Sequence, residues 1–265
     1  MRLHCVALIA VALSACSSAE DIERATGVER QAAVASSEAE SGGARAVAEV
    51  NELYEFNYSY PAQAGAIPEL RRELDARLDR GKAELVSQAE TAKREAAAGD
   101  FPFRMHGLHV EWQTVADLPD WLSLSAEIAT YSGGAHGNVG YDSLLWDRRE
   151  GVLRQPRDLF VSPGALQQAV ERRWCAALNE QRERKRGMAV DPTGEDMFDQ
   201  CPGVDELTVL LGSSNGRTFD RIGLIAGPYV AGPYAEGTYE VTLPVDMAVL
   251  DAVKREYDGA FSLKR

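Results

Sequence analysis

Between residues 54 and 98 the hydrophobic period changes from two to about 3.6, and this change limits the architectures open to the chain. Tyr54, Phe56, Tyr58 and Tyr60 alternate with Glu55, Asn57 and Ser59, which puts four aromatic rings on one side of a strand. Pro61 ends that strand. From Pro68 onward, Leu70, Leu74, Leu78, Leu85 and Ala89 recur at helical spacing, with Arg and Glu on the other face. Gly81 weakens the middle of this helix and Gly99 ends it.

Two more alternating strands follow. Leu108, Val110 and Trp112 share one face of the first, and Leu122, Leu124, Ala126 and Ile128 one face of the second. A glycine-rich stretch, Gly133–Gly137, leads to a strand near Tyr141–Trp146, and Asp147–Gly151 reads as a hairpin turn. Ser162-Pro163 is an N-cap with proline at the first helical position. Leu166, Val170, Trp174 and Leu178 form the apolar stripe of that helix, and Gly187 lies past its end. The cations Arg182, Arg184, Lys185 and Arg186 fall in its last turn, where they suit the helix dipole and read as a solvated end. Residues 188–204 read as a loop. Three short strands follow near 206–211, 217–226 and 238–243, then a helix from about Asp246 to Tyr257. Strands and helices do not alternate regularly, so the pattern predicts an α+β fold, an antiparallel sheet packed with helices, and not a doubly wound parallel sheet.

The amino terminus fixes a cellular address. The apolar run Cys5–Ala12 follows Met1-Arg2-Leu3-His4 and is too short to span a bilayer. It closes on Leu13-Ser14-Ala15-Cys16, a lipobox, so residues 1–15 read as a signal peptide and Cys16 as the lipidated first residue. Ser17 is not the aspartate that retains many such proteins in the inner membrane, which favours the periplasmic face of the outer membrane. Ser17 to about Ala48 is rich in Ala, Ser, Glu and Gly and reads as a flexible tether. The implied organisation is signal 1–15, lipidated cysteine and tether 16–48, an N-terminal module 49–118 and a C-terminal module 119–265. Cys175 and Cys201, the even pair left in an oxidising compartment, read as a disulfide. Closing that loop is worth roughly 3 kcal/mol. A zinc site is the weaker reading, because neither cysteine lies in a C-x-x-C pair and no histidine is near them.

The net charge of −13 excludes nucleic acid as a natural partner. It suits solubility, and it also steers a cationic protein partner. Two loops stand out as candidate binding elements. The first is Tyr131-Ser132-Gly133-Gly134-Ala135-His136-Gly137-Asn138, in which His136 is either a group for acid–base chemistry or a residue bonded within its own turn. The second, Gly227–Gly237, carries two Gly-Pro-Tyr triplets with Pro228, Tyr229, Pro233 and Tyr234. Proline stiffens such a loop, and tyrosine offers a broad contact area with a polar tip. A packed turn is the alternative. His106 and His109 are three apart in a strand and point to opposite faces, and no metal or cofactor set is evident. G-x-S-x-G is absent, and the carboxylates Asp117/Asp120 and Asp191/Glu195/Asp196 fall in turns, so no catalytic residues are assigned.

These two loops resemble those of a known family, the extracytoplasmic domain of the anti-sigma factor RsiV, which also accompanies the catalytic domain of the peptidoglycan deacetylase PdaC. Tyr54–Pro61 with Ile67-Pro68-Glu69-Leu70 is similar to the start of the N-terminal module. Tyr131–Gly137 is similar to the family's Y-x-G-G-A-H loop, Asp158-Leu159-Phe160 to its D-L-F, and Pro228–Gly237 to its P-Y-x-x-x-P-Y-A-x-G loop. The resemblance covers about 50–260. It implies a surface-displayed receptor that binds lysozyme, another lytic enzyme or cell-wall glycan, with Tyr131, Gly133, Gly134, His136, Asn138, Pro228, Tyr229, Pro233 and Tyr234 at its contact face. Thr218-Phe219-Asp220-Arg221 lacks the second aspartate of the deacetylase T-F-D-D motif. A lipobox and tether stand where RsiV has a sigma-binding segment and a membrane helix, so sigma-factor control does not carry over. Two rival readings remain: a cell-wall hydrolase or deacetylase-like enzyme using His136, and a structural envelope protein.

Overall fold

A computed structural model describes residues 35–191 and 197–264. The signal segment 1–15, Cys16, most of the expected tether, Glu195 and Asp196 lie outside the described residues. Seven strands follow one another in sequence order across a single sheet: β1 (Ala35–Ser41), β2 (Ala44–Val50), β3 (Tyr54–Tyr60), β4 (His106–Asp117), β5 (Trp121–Tyr131), β6 (Asn138–Asp147) and β7 (Val152–Arg154). The fold is α+β, as the hydrophobic pattern predicts. All neighbouring strands are antiparallel except β3 and β4, which pair in parallel. The parallel pair needs a crossover. It is supplied by α1 (Ala62–Gly65) and the long α2 (Pro68–Ala98).

Two expected boundaries move. Residues 35–48, read as tether, form β1 and most of β2. Their composition hides this, because Val47 is the one residue of β2 that is buried. Backbone pairing and ions hold the hairpin instead: Arg45 donates to Glu38 at 2.6 Å and to Asp75 of α2 at 2.7 Å. The hairpin turn also seats against α1 so closely that a Cβ on Gly65 would sit 1.6 Å from the Gly43 carbonyl oxygen. The division at 118/119 falls in the β4–β5 turn, where Leu118 N–H donates to the Trp121 carbonyl at 2.8 Å. The two expected modules therefore share one sheet.

The aromatic face of β3 and the leucine stripe of α2 make the first core. Phe56, Leu70, Leu74, Leu122 and Leu124 are fully buried there, and Trp112 Nε1 donates to the Tyr58 hydroxyl at 3.0 Å. Each such buried side chain contributes about 1.5–3 kcal/mol. A second sheet covers part of the opposite face. Its strands β8 (Thr208–Gly212), β9 (Arg221–Ala226) and β10 (Tyr239–Pro244) pair antiparallel in the order β10-β9-β8. Helix α3 (Pro163–Arg186) packs on β10. Trp121 and Leu145 of the first sheet join Trp174, Leu178, Phe219 and Leu224 in this second core. Strands β5 and β6 thus feed both cores with alternate residues, which explains their dense apolar sequence.

Ser162 caps α3, its Oγ accepting from Ala165 N–H at 3.1 Å, and Gly187 ends it. Cys175 and Cys201 are joined. The last helix is shorter than its periodicity implies. α4 spans Met247–Ala252, Val253 is extended, and Arg255–Ala260 is a 3₁₀ segment. Tertiary bonding wins over propensity here. Val161 N–H takes the Ala252 carbonyl and Lys254 N–H takes the Leu159 carbonyl, both at 2.9 Å. Asp158-Leu159-Phe160 is thus a structural motif, with Leu159 and Phe160 buried and Asp158 accepting from Gln155 N–H at 2.8 Å.

Candidate functional site

The loop between β5 and β6 is shaped by its own polar groups. The Gly134 carbonyl accepts from the Tyr131 hydroxyl at 3.0 Å and from Arg104 Nη1 at 3.2 Å. Gly133 holds φ +87°, a conformation open to glycine. His136 Nδ1 lies 2.7 Å from the Gly137 carbonyl oxygen. A carbonyl only accepts, so this nitrogen carries the proton and Nε2 is the free end. Asn138 opens β6 opposite Thr130 and is exposed.

The second loop, between β9 and β10, is held from beneath by the end of α3. Arg182 is fully buried. Its Nε and Nη2 donate to the Ala231 carbonyl at 3.0 and 2.8 Å. Nη2 also reaches the Gln200 carbonyl at 2.8 Å, and Nη1 reaches Asp199 O at 3.2 Å and Asn179 Oδ1 at 3.0 Å. All five guanidinium donors are used. Burial first, then the neighbouring Arg186, pushes the Arg182 pKa down from its ordinary value. Arg186 grips Glu236 through Nε at 2.9 Å and Nη2 at 3.2 Å, and pairs with Asp199. Burial favours the neutral Glu236 acid, but the bonds from Arg186 and the Tyr239 hydroxyl outweigh it and hold the carboxyl below its usual value. Lys185 Nζ donates to the Glu236 and Thr238 carbonyls at 2.6 and 2.8 Å. Gly232 is required by this arrangement, since a Cβ there would sit 2.3 Å from Glu236 Oε2.

The cations at the end of α3 therefore do not form the solvated helix end that their spacing suggests. Arg182, Lys185 and Arg186 position the tyrosine loop, Lys185 from an exposed position, and Arg184 alone of the four makes no bond to that loop among the described contacts. The signal that points to them is the i, i+4 spacing of Arg182 from Leu178, which continues the buried stripe Val170–Trp174–Leu178.

The two loops meet. The His136 ring stacks on Tyr234 at a centroid distance of 3.8 Å and an interplanar angle of 21°, and Tyr229 lies 5.7 Å beyond Tyr234. Tyr229 is 54% exposed and has φ +70°. A left-handed backbone on a tyrosine costs about 1 kcal/mol, and such strain gathers at functional positions. It is fixed by Tyr229 N–H donating to the Gly232 carbonyl at 3.0 Å and Val230 N–H to the Gly227 carbonyl at 3.1 Å. Pro228 and Pro233 are half-buried on either side of this turn. A cleft of about 670 Å³ opens next to the ring row, with Tyr131, Asn138 and Tyr234 in its wall. His106 is buried and His109 exposed, on opposite faces of β4. Among the described residues no group of three or more His, Cys, Asp or Glu side chains is arranged to hold a metal ion.

The family model described as Deacetylase PdaC matches residues 47–139. The match runs from β2 to the start of β6 and includes the His136 loop, whereas the tyrosine loop lies beyond it. Comparison with curated proteins finds no match. Among solved structures, a DUF3298 family protein from Pseudomonas aeruginosa PAO1 is 16% identical, over 88% of this chain and 98% of that one, with a TM-score of 0.45. A member of the same family from Bacteroides fragilis NCTC 9343 is 15% identical, over 82% and 92%, with a TM-score of 0.42. Through residues 47–139, this chain carries a PdaC-type domain.

Proposed function

We propose that this chain is a non-catalytic binding protein of the cell envelope, and that the ring row Tyr229–Tyr234–His136 takes its partner, lysozyme or another lytic enzyme of the cell wall. One observation carries the reading: an aromatic row with Tyr229 and His136 exposed and Tyr234 half-buried between them, one member in a strained backbone, is held in place by a buried arginine that spends four of its five donors on loop carbonyls. Preorganised aromatic anchors of this kind lose little entropy on docking and dominate interface energetics. The resemblance to RsiV-type receptors supplies the partner class. The charge of −13 favours encounter with a basic enzyme.

Calorimetric titration of the protein with a c-type lysozyme, at low and at physiological salt, tests this. Binding at micromolar strength or tighter is expected, weakening as salt screens the charges. Tyr229→Ala with Tyr234→Ala is expected to lower affinity at least about tenfold while moving the denaturation midpoint only by the loss of one exposed and one half-buried ring. Absence of heat at both salts overturns the partner assignment. Unchanged affinity in the double variant overturns the face.

The reading also places the domain on a lipid anchor at Cys16, on the periplasmic side of the outer membrane. Cys16→Ala is expected to shift the protein from the membrane fraction to the soluble periplasmic fraction. Retention in the membrane pellet would count against the anchor.

A further inference from the structure

The sheet face turned away from α2 is only partly covered. The second sheet lies against β4, β5 and β6. Its border is marked by the Tyr141 hydroxyl meeting Thr238 Oγ1 at 2.9 Å and by Gly227 beside the Val139 carbonyl. Beyond that border, pairing registers align Ser37, Ala48, Asn57, His109, Ala129 and Val139 in one row across β1 to β6. An open sheet face ordinarily carries long polar side chains. Here the floor is mostly small, with Ala39, Ala46 and Ser59 in the adjoining row.

Two clefts lie on this floor, of about 420 and 670 Å³, and they share His109 and Ala129. They form one trough that runs from β1 to the wall made by Tyr131 and Tyr234. Glu55, Glu111 and Glu127 line it. Among the described lining residues the sole arginine or lysine is Arg104, at the far mouth and bonded to the Gly134 carbonyl.

We propose that this trough is a second contact surface, and that it takes a lysine- or arginine-rich segment of the protein partner that meets the tyrosine row. The inference rests on the reading that the partner is a protein. Charge decides the occupant. Three carboxylates over a floor of small residues suit long cationic side chains laid across the strands. A second copy of this chain brings its own −13 and is repelled. A neutral glycan can bond to the carboxylates through its hydroxyls but gains no net charge attraction from them.

The test compares the whole chain with three variants by titration against c-type lysozyme and against an acetylated octalysine peptide. Glu55→Gln, Glu111→Gln and Glu127→Gln together remove the trough's carboxylates. Glu90→Gln, Glu95→Gln and Glu171→Gln change the net charge equally at exposed helix positions away from it. Ala129→Leu raises the floor with no change of charge, and thermal melting confirms that it is folded. The trough triple and Ala129→Leu are each expected to weaken both ligands about tenfold at low salt, and the helix triple to change them less than about twofold. If lysozyme binding depends on Tyr229 and Tyr234 but ignores the trough variants, the trough is overturned and the tyrosine face stands. If lysozyme gives no heat while octalysine binds through the three glutamates, the trough stands and the lysozyme reading falls. Binding of chitohexaose in place of octalysine, lost in Ala129→Leu, overturns the basic segment as occupant.

Discussion

Arg182→Leu is expected to destabilise the fold by about 3–5 kcal/mol, a loss typical of opening a buried charged hydrogen-bond network. The leucine fills part of the space but leaves the Ala231, Gln200 and Asp199 carbonyls without the donors that satisfy them. Arg182→Lys is no rescue: an ammonium has three donors at one point and cannot span acceptors on both loops as the planar guanidinium does. Denaturant unfolding measures the loss as a lower midpoint at constant slope. A change below about 1 kcal/mol for both variants would mean that water replaces the guanidinium and that the clamp is not structural. Because the same side chain holds Ala231, which lies between Tyr229 and Tyr234, Arg182→Lys is also expected to weaken lysozyme binding in protein that remains folded.

The second large effect is expected at Trp174. It is fully buried in the core between α3 and the second sheet, and its Nε1 donates to the Pro202 carbonyl at 3.1 Å. Trp174→Ala removes the indole and leaves a cavity that rigid neighbours cannot close, at a cost of about 3–5 kcal/mol. Trp174→Phe separates the contributions. It keeps most of the volume and loses the hydrogen bond, with an expected cost of about 1–3 kcal/mol from the stranded carbonyl. Equal losses in the two variants would show that packing is not what Trp174 supplies. Pro202 adjoins Cys201, so the indole and the disulfide fasten the same stretch to α3.

The sequence makes the strongly periodic parts of this molecule readable. Tyr54–Tyr60, the leucines of α2 and the stripe Leu166–Leu178 each bury one face, and each is found where its period puts it. β1 and β2 are not readable in this way. Alanine is neutral to burial, and what orders them is backbone pairing plus Arg45, whose two acidic partners are seven and thirty residues away. The parallel β3–β4 pair is equally hidden, since strand direction depends on where a crossover returns and not on any local pattern. At the site, both loops are legible from glycine, proline and tyrosine, but their encounter is not. The stack of His136 on Tyr234 joins residues nearly a hundred positions apart. Arg182 is missed for a further reason: a buried cation is costly unless its donors are satisfied, and the carbonyls that satisfy it leave no mark in the sequence.

The order in which the large sheet assembles follows from its one parallel pair. β1–β2 and the β4–β5–β6 meander join strands that are adjacent in the chain, and such hairpins form in microseconds. Between them, β3 meets β4 only after the whole of α1 and α2 has been threaded back across the sheet face. The loop entropy of that return is lost before any ladder bond repays it. The β3–β4 seam is thus the last part of the sheet to close, and until α2 docks, Phe56, Tyr58 and Trp112 stand open to solvent along an unpaired edge. That interval is when the chain is most exposed to proteases and to its own neighbours.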